Sequence, residues 1–444
     1  MLVIVHGWSD NRDSFRPLVR RLREQGIEQA VRDVYLGDYI SLDDQVTFDD
    51  LAAAMQRAWL ERGLPTHPGS VDAIVHSTGS LVIREWLTRH YAPDTAPLKR
   101  LLMLAPANFG SPLAHMGRSL IGRATRGWRG ARLFETGSRI LSGLELASDY
   151  TVDLAERDWF APSPWYGPGR ILCTVLTGNQ GYAGIAAVAN KVGTDGTVRV
   201  SSANLECARM DVDFATEPMR PISRGPLDSM ASAAFGIMDG EDHSSICAQN
   251  RGPRNPATLP AVFRALTIDD AGFPAWRAQL EASNRAVMAR RNEGRRPHFH
   301  GYQNTVFRVR DQNGRDVSDY LIEFYANDDL GQRARRMTRD FQEAVVASVH
   351  VFADNPAYRA LLINCRELHR LLDRPEDRLY MSITAFPELN SREVGYRTYG
   401  DRDIGALVLD RGDVRTWFRE NRTLLVTLTL KREQKAGVFR LYDG

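Results

Sequence analysis

A serine becomes a nucleophile where the chain lifts its hydroxyl clear of the backbone and another group takes its proton. Residues 71 to 87 read VDAIVHSTGSLVIREWL. Val71, Ala73, Ile74 and Val75 read as a short buried strand, and Leu81, Val82, Trp86 and Leu87 recur at the three-to-four spacing of a helix face. Ser77 therefore falls on a sharp strand-to-helix turn. Gly79 leaves room for strand and helix to approach, and the N–H of Thr78 can face a developing oxyanion. The usual form of such a nucleophile elbow is G-x-S-x-G. Here Val75 stands where the first glycine belongs, and a β-branched residue there should crowd the following helix. The plain alternative is a serine in an ordinary strand–helix loop.

A serine hydroxyl is weakly nucleophilic at neutral pH, so Ser77 needs a histidine base, and the histidine needs a carboxylate to hold its tautomer. Behind an elbow of this kind the acid and then the histidine follow in chain order, each on a loop after a strand. After the apolar run ILCTVLTG the sequence NKVGTDGTVRVSSANL places Asp195 in a Gly-flanked turn. Further on, GIMDGEDHSSI places His243 close to Gly240 among polar residues.

At these residues the chain resembles an α/β-hydrolase lipase or esterase, similar to bacterial lipases and to serine esterases related to the GPI-inositol deacylase group. The matching pieces are VHGW, VHSTGS, LAPANFGSPLA, GTDGTVRVSSA and DHSSI, spread over roughly residues 1 to 250. The resemblance implies Ser77 as nucleophile, Asp195 as acid and His243 as base, with the backbone N–H groups of Trp8 and Thr78 as the oxyanion hole. It implies no cofactor and no metal. The C-terminal part resembles no family.

Other residues compete for these roles. His76 adjoins Ser77, but successive side chains at a strand end diverge, so it reads as a packed residue; His6 reads as a structural loop histidine. Asp239, Glu241 and Asp242 offer a rival acid or a cation site, although a carboxylate run is usually a solvated face. Asp149, Asp211 and Asp213 are weaker candidates, with no turn after a strand around them.

The elements that must position this chemistry follow from the patterning. Leu2 to Val5 reads as a strand; DSFRPLVRRLREQG as a helix with Phe15, Leu18, Val19 and Leu22 on one face; DVYLGDY as a strand; and TFDDLAAAMQRAWLERG as a helix opened by a Thr-x-x-Asp cap. The elbow and the strand KRLLMLAPA come next, and RILCTVLTG and GTVRVSS continue the sheet. This alternation argues for an α/β architecture, an α/β-hydrolase parallel sheet whose active site collects at the carboxyl ends of the strands. Between about 108 and 168 the rhythm breaks into a helical cap insertion.

The expected domains are a catalytic domain over 1–285, a basic linker over 286–300 and a smaller β-rich accessory domain over 301–444. In the last, TVFRVRDQNGRDVSDYLIEFY reads as two strands around an Asn-Gly turn, RALLINCRELHRLL as one helix, and TLLVTLTLK as a half-buried strand with Leu424, Val426, Leu428 and Leu430 on one face.

Composition bounds the rest. The chain has 444 residues, of which 43% are hydrophobic and 25% charged, as in an ordinary globular protein. A net charge of +2 argues against a nucleic-acid partner. Cys173, Cys207, Cys247 and Cys365 are scattered without a C-x-x-C pair, so neither a zinc site nor a disulfide framework is expected. MLVIVHGWSD has no basic leader, which gives a cytoplasmic expectation unless a leaderless route exports the chain.

The cap carries a substrate hint. On a helical wheel from 116 to 134, Arg118, Arg123, Arg126, Arg129 and Arg132 fall on one half, and Met116, Leu120, Ile121, Ala124, Trp128, Ala131 and Phe134 on the other. Such a helix suits an anionic membrane surface, with Arg118, Arg126, Arg129 and Trp128 facing substrate or lipid; a solvated cap helix is the equal alternative. The expectation is a serine carboxylic-ester hydrolase for lipid esters, lipase or phospholipase, working through an acyl-enzyme. An amidase or thioesterase on the same residues, and a non-catalytic hydrolase-fold binding protein, are the alternatives.

Overall fold

The computed structural model describes residues 1–5, 15–34, 45–114, 137–184, 187, 190–216, 230–249, 252–290, 301–326, 332–389, 394–398 and 407–435. The chain divides into two compact units, Met1–Glu206 with Ser229–His300, and Cys207–Asp228 with Gly301–Gly444.

In chain order the elements up to residue 300 are β1 (Leu2–Val5), α1 (Arg16–Glu24), β2 (Val31–Val34), α2 (Phe48–Glu61), β3 (Val71–His76), α3 (Gly79–His90), β4 (Leu98–Leu104), α4 (Ser138–Leu144), α5 (Asp149–Arg157), β5 (Leu172–Gly178), α6 (Val200–Ala203), β6 (Cys207–Asp213), β7 (Ala234–Met238), α7 (Thr258–Thr267) and α8 (Phe273–Ala289). All except β6 build the first unit. Its sheet has six strands in the order β2-β1-β3-β4-β5-β7, every pair parallel. Parallel strands need crossovers, and the strands are near-continuous apolar runs because both faces are covered.

The alternation of each strand divides its side chains between those faces. Leu2, Ile4, Ile74, Leu102 and Leu176 join Phe15, Leu18 and Leu22 of the α1 region and Val262, Leu266, Trp276 and Leu280 of α7 and α8 in one core. Val3, Val5, Ala73 and Val75 are equally buried and point the other way. There α2 packs on α3 through Trp59 and Trp86, whose rings lie 4.6 Å apart. The Thr47 cap on α2 is the reciprocal capping box with Asp50 that the sequence predicts. The chain leaves β1 for β2 on one side and returns to β3 on the other. This reversal places the crevice for a ligand beside the carboxyl end of β3.

The second unit contains β6 and then β8 (Tyr302–Asp311), β9 (Tyr320–Ala326), α9 (Gln332–Asp340), β10 (Val346–Val351), β11 (Tyr358–Asn364), α10 (Cys365–Leu371), β12 (Arg378–Ala385), β13 (Val394–Tyr396), β14 (Leu407–Asp410), α11 (Arg411–Trp417), β15 (Thr423–Leu430) and β16 (Arg432–Gln434). A mixed five-stranded sheet, β10-β11-β8-β15-β6, and an antiparallel three-stranded sheet, β14-β12-β9, share one apolar core that includes Phe307, Val309, Met381, Ile383, Leu424 and Leu428.

Several expectations need correction. The division at residue 285 fails at β6, which pairs in parallel with β15 from Cys207↔Thr423 to Asp213↔Thr429 and so belongs to the second unit. Period-two patterning marks β6 as a strand but carries no information about which distant strand satisfies its backbone. The linker expected over 286–300 begins inside α8, where Val287 and Met288 are buried and keep the helix going; 291–300 lie outside the described residues.

GTVRVSS does not continue the sheet; Thr194 bridges Arg199, and Val200–Ala203 is helical. The two strands around the Asn-Gly turn are β8 and β9, but past a tight end at Arg310↔Asp316 they separate into different sheets. The helix read over RALLINCRELHRLL is strand β11 followed by α10, and two further helices, α9 and α11, are present beyond residue 300. The strand expected at DVYLGDY is β2, which ends at Val34, and 35–44 lie outside the described residues.

Candidate active site

β3 ends at His76, and Ser77 adopts φ +53, a left-handed conformation that an L side chain seldom takes, before α3 begins at Gly79. The strain is held from several directions. Ser77 N–H donates to Leu104 O at 3.2 Å, and its own carbonyl accepts from the Ser80 N–H at 3.2 Å and the Ser80 hydroxyl at 2.8 Å. Over-determination of this kind is what lets a strained residue persist. Val75 does not prevent the turn: it is fully buried and in register between Val5 and Met103. Among the described residues no acceptor takes the Thr78 N–H. Trp8, the other expected oxyanion donor, and His6 lie outside the described residues.

His243 and Asp195 come to Ser77 from far along the chain. His243 Nε2 is 3.1 Å from Ser77 Oγ, and its Nδ1 is 3.0 Å from Asp195 Oδ2. All three residues are at most 5% exposed, so water competes little for these bonds. The carboxylate only accepts; Nδ1 therefore carries the proton, and Nε2 is left to accept from the serine hydroxyl. Asp195 Oδ1 accepts from the Thr197 N–H at 2.9 Å and the Val198 N–H at 2.8 Å, which leaves Oδ2 to face the ring. The His243 N–H also donates to Asp195 O at 2.9 Å, so the two loops are tied through backbone as well as side chain.

The rival residues are occupied elsewhere. Glu241 is fully buried and accepts from the N–H groups of Arg254 and Asn255 and from the hydroxyls of Thr258 and Ser245. Asp242 caps the Ser244 and Ser245 N–H groups and pairs with Arg254 at 2.6 Å. Asp239 accepts from the Asn179 amide. None of these carboxylates is the partner of the His243 ring, and together they brace the loop that carries it. Asp149 opens α5, and Asp211 and Asp213 lie on β6, in the other unit. Among the described residues no group of three His, Cys, Asp or Glu side chains is placed to hold a metal ion. All four cysteines are buried and unbridged.

Ser77 opens onto a cleft lined by Thr78, Ala107, Ser111, Leu113, Ala114, Leu141, Leu144, Thr197 and Val198. Most of this lining is apolar, and Leu141 and Leu144 come from α4, within the insertion expected to cap the site. Apart from Thr78, none of these wall residues is singled out by the sequence; Ala107, Ser111, Leu113 and Ala114 lie in LAPANFGSPLA, where a resemblance motif is their signal, and Leu141 and Leu144 carry no comparable one. The stretch 115–136, with Arg118, Arg126, Arg129 and Trp128, lies outside the described residues. The rest of the insertion is anchored by a fully buried ion pair. Arg84 of α3 grips Asp158, just beyond α5, through Nε at 2.6 Å and Nη2 at 3.0 Å, and donates to Asn108 O at 3.1 Å. Burial by itself would lower the Arg84 pKa, but the Asp158 charge and hydrogen bonds outweigh it, and the guanidinium stays charged.

No family model and no curated protein matches this sequence. Among solved structures, phospholipase PlaB from Legionella pneumophila in complex with thio-NAD aligns with 100% of this chain and 96% of its own, at 23% identity and a TM-score of 0.82. A second structure of the same phospholipase gives 23% identity and a TM-score of 0.80 over the same shares. The mature lipase BlEst2 from Bacillus licheniformis aligns with 60% of this chain and 91% of its own, at 17% identity and a TM-score of 0.36. At such identities the likeness to PlaB is one of fold. The chain has an α/β-hydrolase fold with a second, β-rich part, and shares it with PlaB along its whole length.

Proposed function

We propose that this α/β-hydrolase-fold chain is a serine carboxylic-ester hydrolase acting on lipid esters through an acyl-enzyme. The observation that carries the reading is the buried run of hydrogen bonds from Ser77 through His243 to Asp195, opening onto an apolar cleft. Ser77 Oγ attacks the ester carbonyl as His243 Nε2 takes its proton. The same nitrogen returns the proton to the leaving alcohol, and Asp195 steadies the imidazolium formed between the two steps. The Thr78 N–H donates to the oxyanion. Leu113, Leu141, Leu144 and Val198 offer an acyl chain an apolar wall. The full-length likeness to a phospholipase supports a phospholipid among the substrates.

Ser77→Ala and His243→Ala should each cut turnover of a soluble ester by roughly 10⁴-fold or more, because members of such a unit fail together. A fluorophosphonate probe should label the wild type at Ser77. Unlabelled wild-type protein, or turnover kept by a folded Ser77→Ala variant, overturns the reading. Esters, thioesters and amides of equal acyl length separate an esterase from a thioesterase or amidase, and the expected order has the ester first.

We also propose peripheral contact with anionic membrane through the basic face of 116–134, a reading supported by the sequence pattern alone. Reversal of Arg118, Arg126 and Arg129 to Glu should weaken binding to anionic vesicles at low salt, at about 1 kcal/mol per residue. Turnover of a short soluble ester should hold. Equal vesicle binding by the two proteins rejects the membrane role.

A further inference from the structure

His76 is the residue before the nucleophile, and its side chain is buried against the base. Its Nε2 lies 3.1 Å from the backbone carbonyl oxygen of His243. A carbonyl only accepts, so Nε2 carries a proton and donates it. The two imidazole rings sit with centroids 4.8 Å apart at 45°, and the Phe15 ring meets the His76 ring edge-on at 5.9 Å. His76 is 5% exposed.

The need for such a contact follows from the topology. His243 stands on the loop after β7, the edge strand, three places along the sheet from β3. Neighbouring strands lie about 4.8 Å apart, so the loop must carry the imidazole roughly 14 Å sideways to reach Ser77. Glu241 and Asp242 brace the start of that reach. At its end the His243 peptide is held on both sides: its N–H by Asp195 O and its C=O by His76 Nε2. The second hold is the direct one, because His76 is covalently joined to Ser77.

We propose that His76 is a positioning residue that fixes the Ser77–His243 separation, through its donor on the His243 carbonyl and its ring against the His243 ring. The inference rests on the roles proposed above for Ser77 and His243. It assigns His76 no proton transfer and no contact with substrate. Small misplacements of a reacting pair are costly to turnover and nearly silent in ground-state binding, so the effect belongs in kcat.

The test compares His76→Gln, whose amide nitrogen can reach the place of Nε2, with His76→Asn, whose amide nitrogen falls short of it, and His76→Phe, which keeps a ring and loses the donor. Ser77→Ala runs alongside, on a soluble ester, with thermal melting of every variant. The Phe and Asn variants should lose about 10²-fold in kcat with KM nearly unchanged, and Gln should recover most of that loss. If Phe does not fold, the Asn and Gln pair decides by the same comparison. Wild-type kcat in Phe or Asn overturns the proposal, and so does an equal loss in Asn and Gln, which would mark His76 as a space-filling residue only. Full turnover by Ser77→Ala instead removes the enzyme reading beneath it, a result distinguishable from any pattern among the His76 variants.

Discussion

Asp195 shows how one side chain can be fully committed. Its Oδ1 is taken by two backbone N–H groups and its Oδ2 by the His243 ring. In Asp195→Asn the backbone N–H groups would keep the amide oxygen on their side and turn the amide NH₂ towards Nδ1. The imidazole would then have to accept at Nδ1 and carry its proton on Nε2, where it could not receive the proton of Ser77. Turnover should fall by about 10⁴-fold while the fold is kept. Steady-state kinetics beside Asp239→Asn checks this. The assignment fails if Asp239→Asn is the crippled variant and Asp195→Asn turns over normally.

Between elements, the fully buried Arg84–Asp158 pair joins the helix after the elbow to the end of α5 and to the loop at Asn108. Tyr166 and the Trp159 N–H also donate to Asp158, so both charges are well satisfied where they are buried. Removing one partner leaves the other as an uncompensated buried charge. Asp158→Ala should therefore cost about 3–5 kcal/mol of stability. Urea unfolding should show a lower midpoint at a similar slope, and a midpoint shift worth less than about 1 kcal/mol would place the pair among exposed surface bridges instead. Arg84 is not among the residues that line the cleft, so activity of the folded fraction should survive better than stability.

On the scale of the whole chain, the second unit is discontinuous. β6 leaves the first unit's sequence to become the edge of a sheet whose neighbouring strand, β15, lies more than two hundred residues later. A fragment ending at residue 300 loses β8 and β15 together. That would strip the partner from the β6 backbone and uncover Met210, Val212 and Phe214. Residues 1–300 expressed alone should aggregate or bind a hydrophobic dye, whereas the full chain should do neither. A monomeric, dye-silent fragment with full esterase activity would show that β6 does not depend on those strands.

What the sequence determined by itself was whatever is written locally. The strand-to-turn-to-helix pattern around Ser77, the Thr47 capping box, the parallel alternation of the first unit and the alternation of β15 each depend on residues a few positions apart, and period and turn chemistry expose them directly. Asp195 and His243 were legible because each follows an apolar strand on a polar, Gly-marked loop. Tertiary structure alone decided the pairings. It sent β6 to β15, divided β8 and β9 between two sheets, and ended α8 after residue 285, because burial against distant neighbours outweighs local pattern. It also decided among the carboxylates near His243: Glu241, Asp242 and Asp239 are closer in sequence, but backbone N–H groups, Arg254 and the Asn179 amide engage them elsewhere. The strand-end position of His76 predicts a packed side chain, and His76 is buried. That it packs against the His243 ring is visible only once the loop after the edge strand is brought across the sheet.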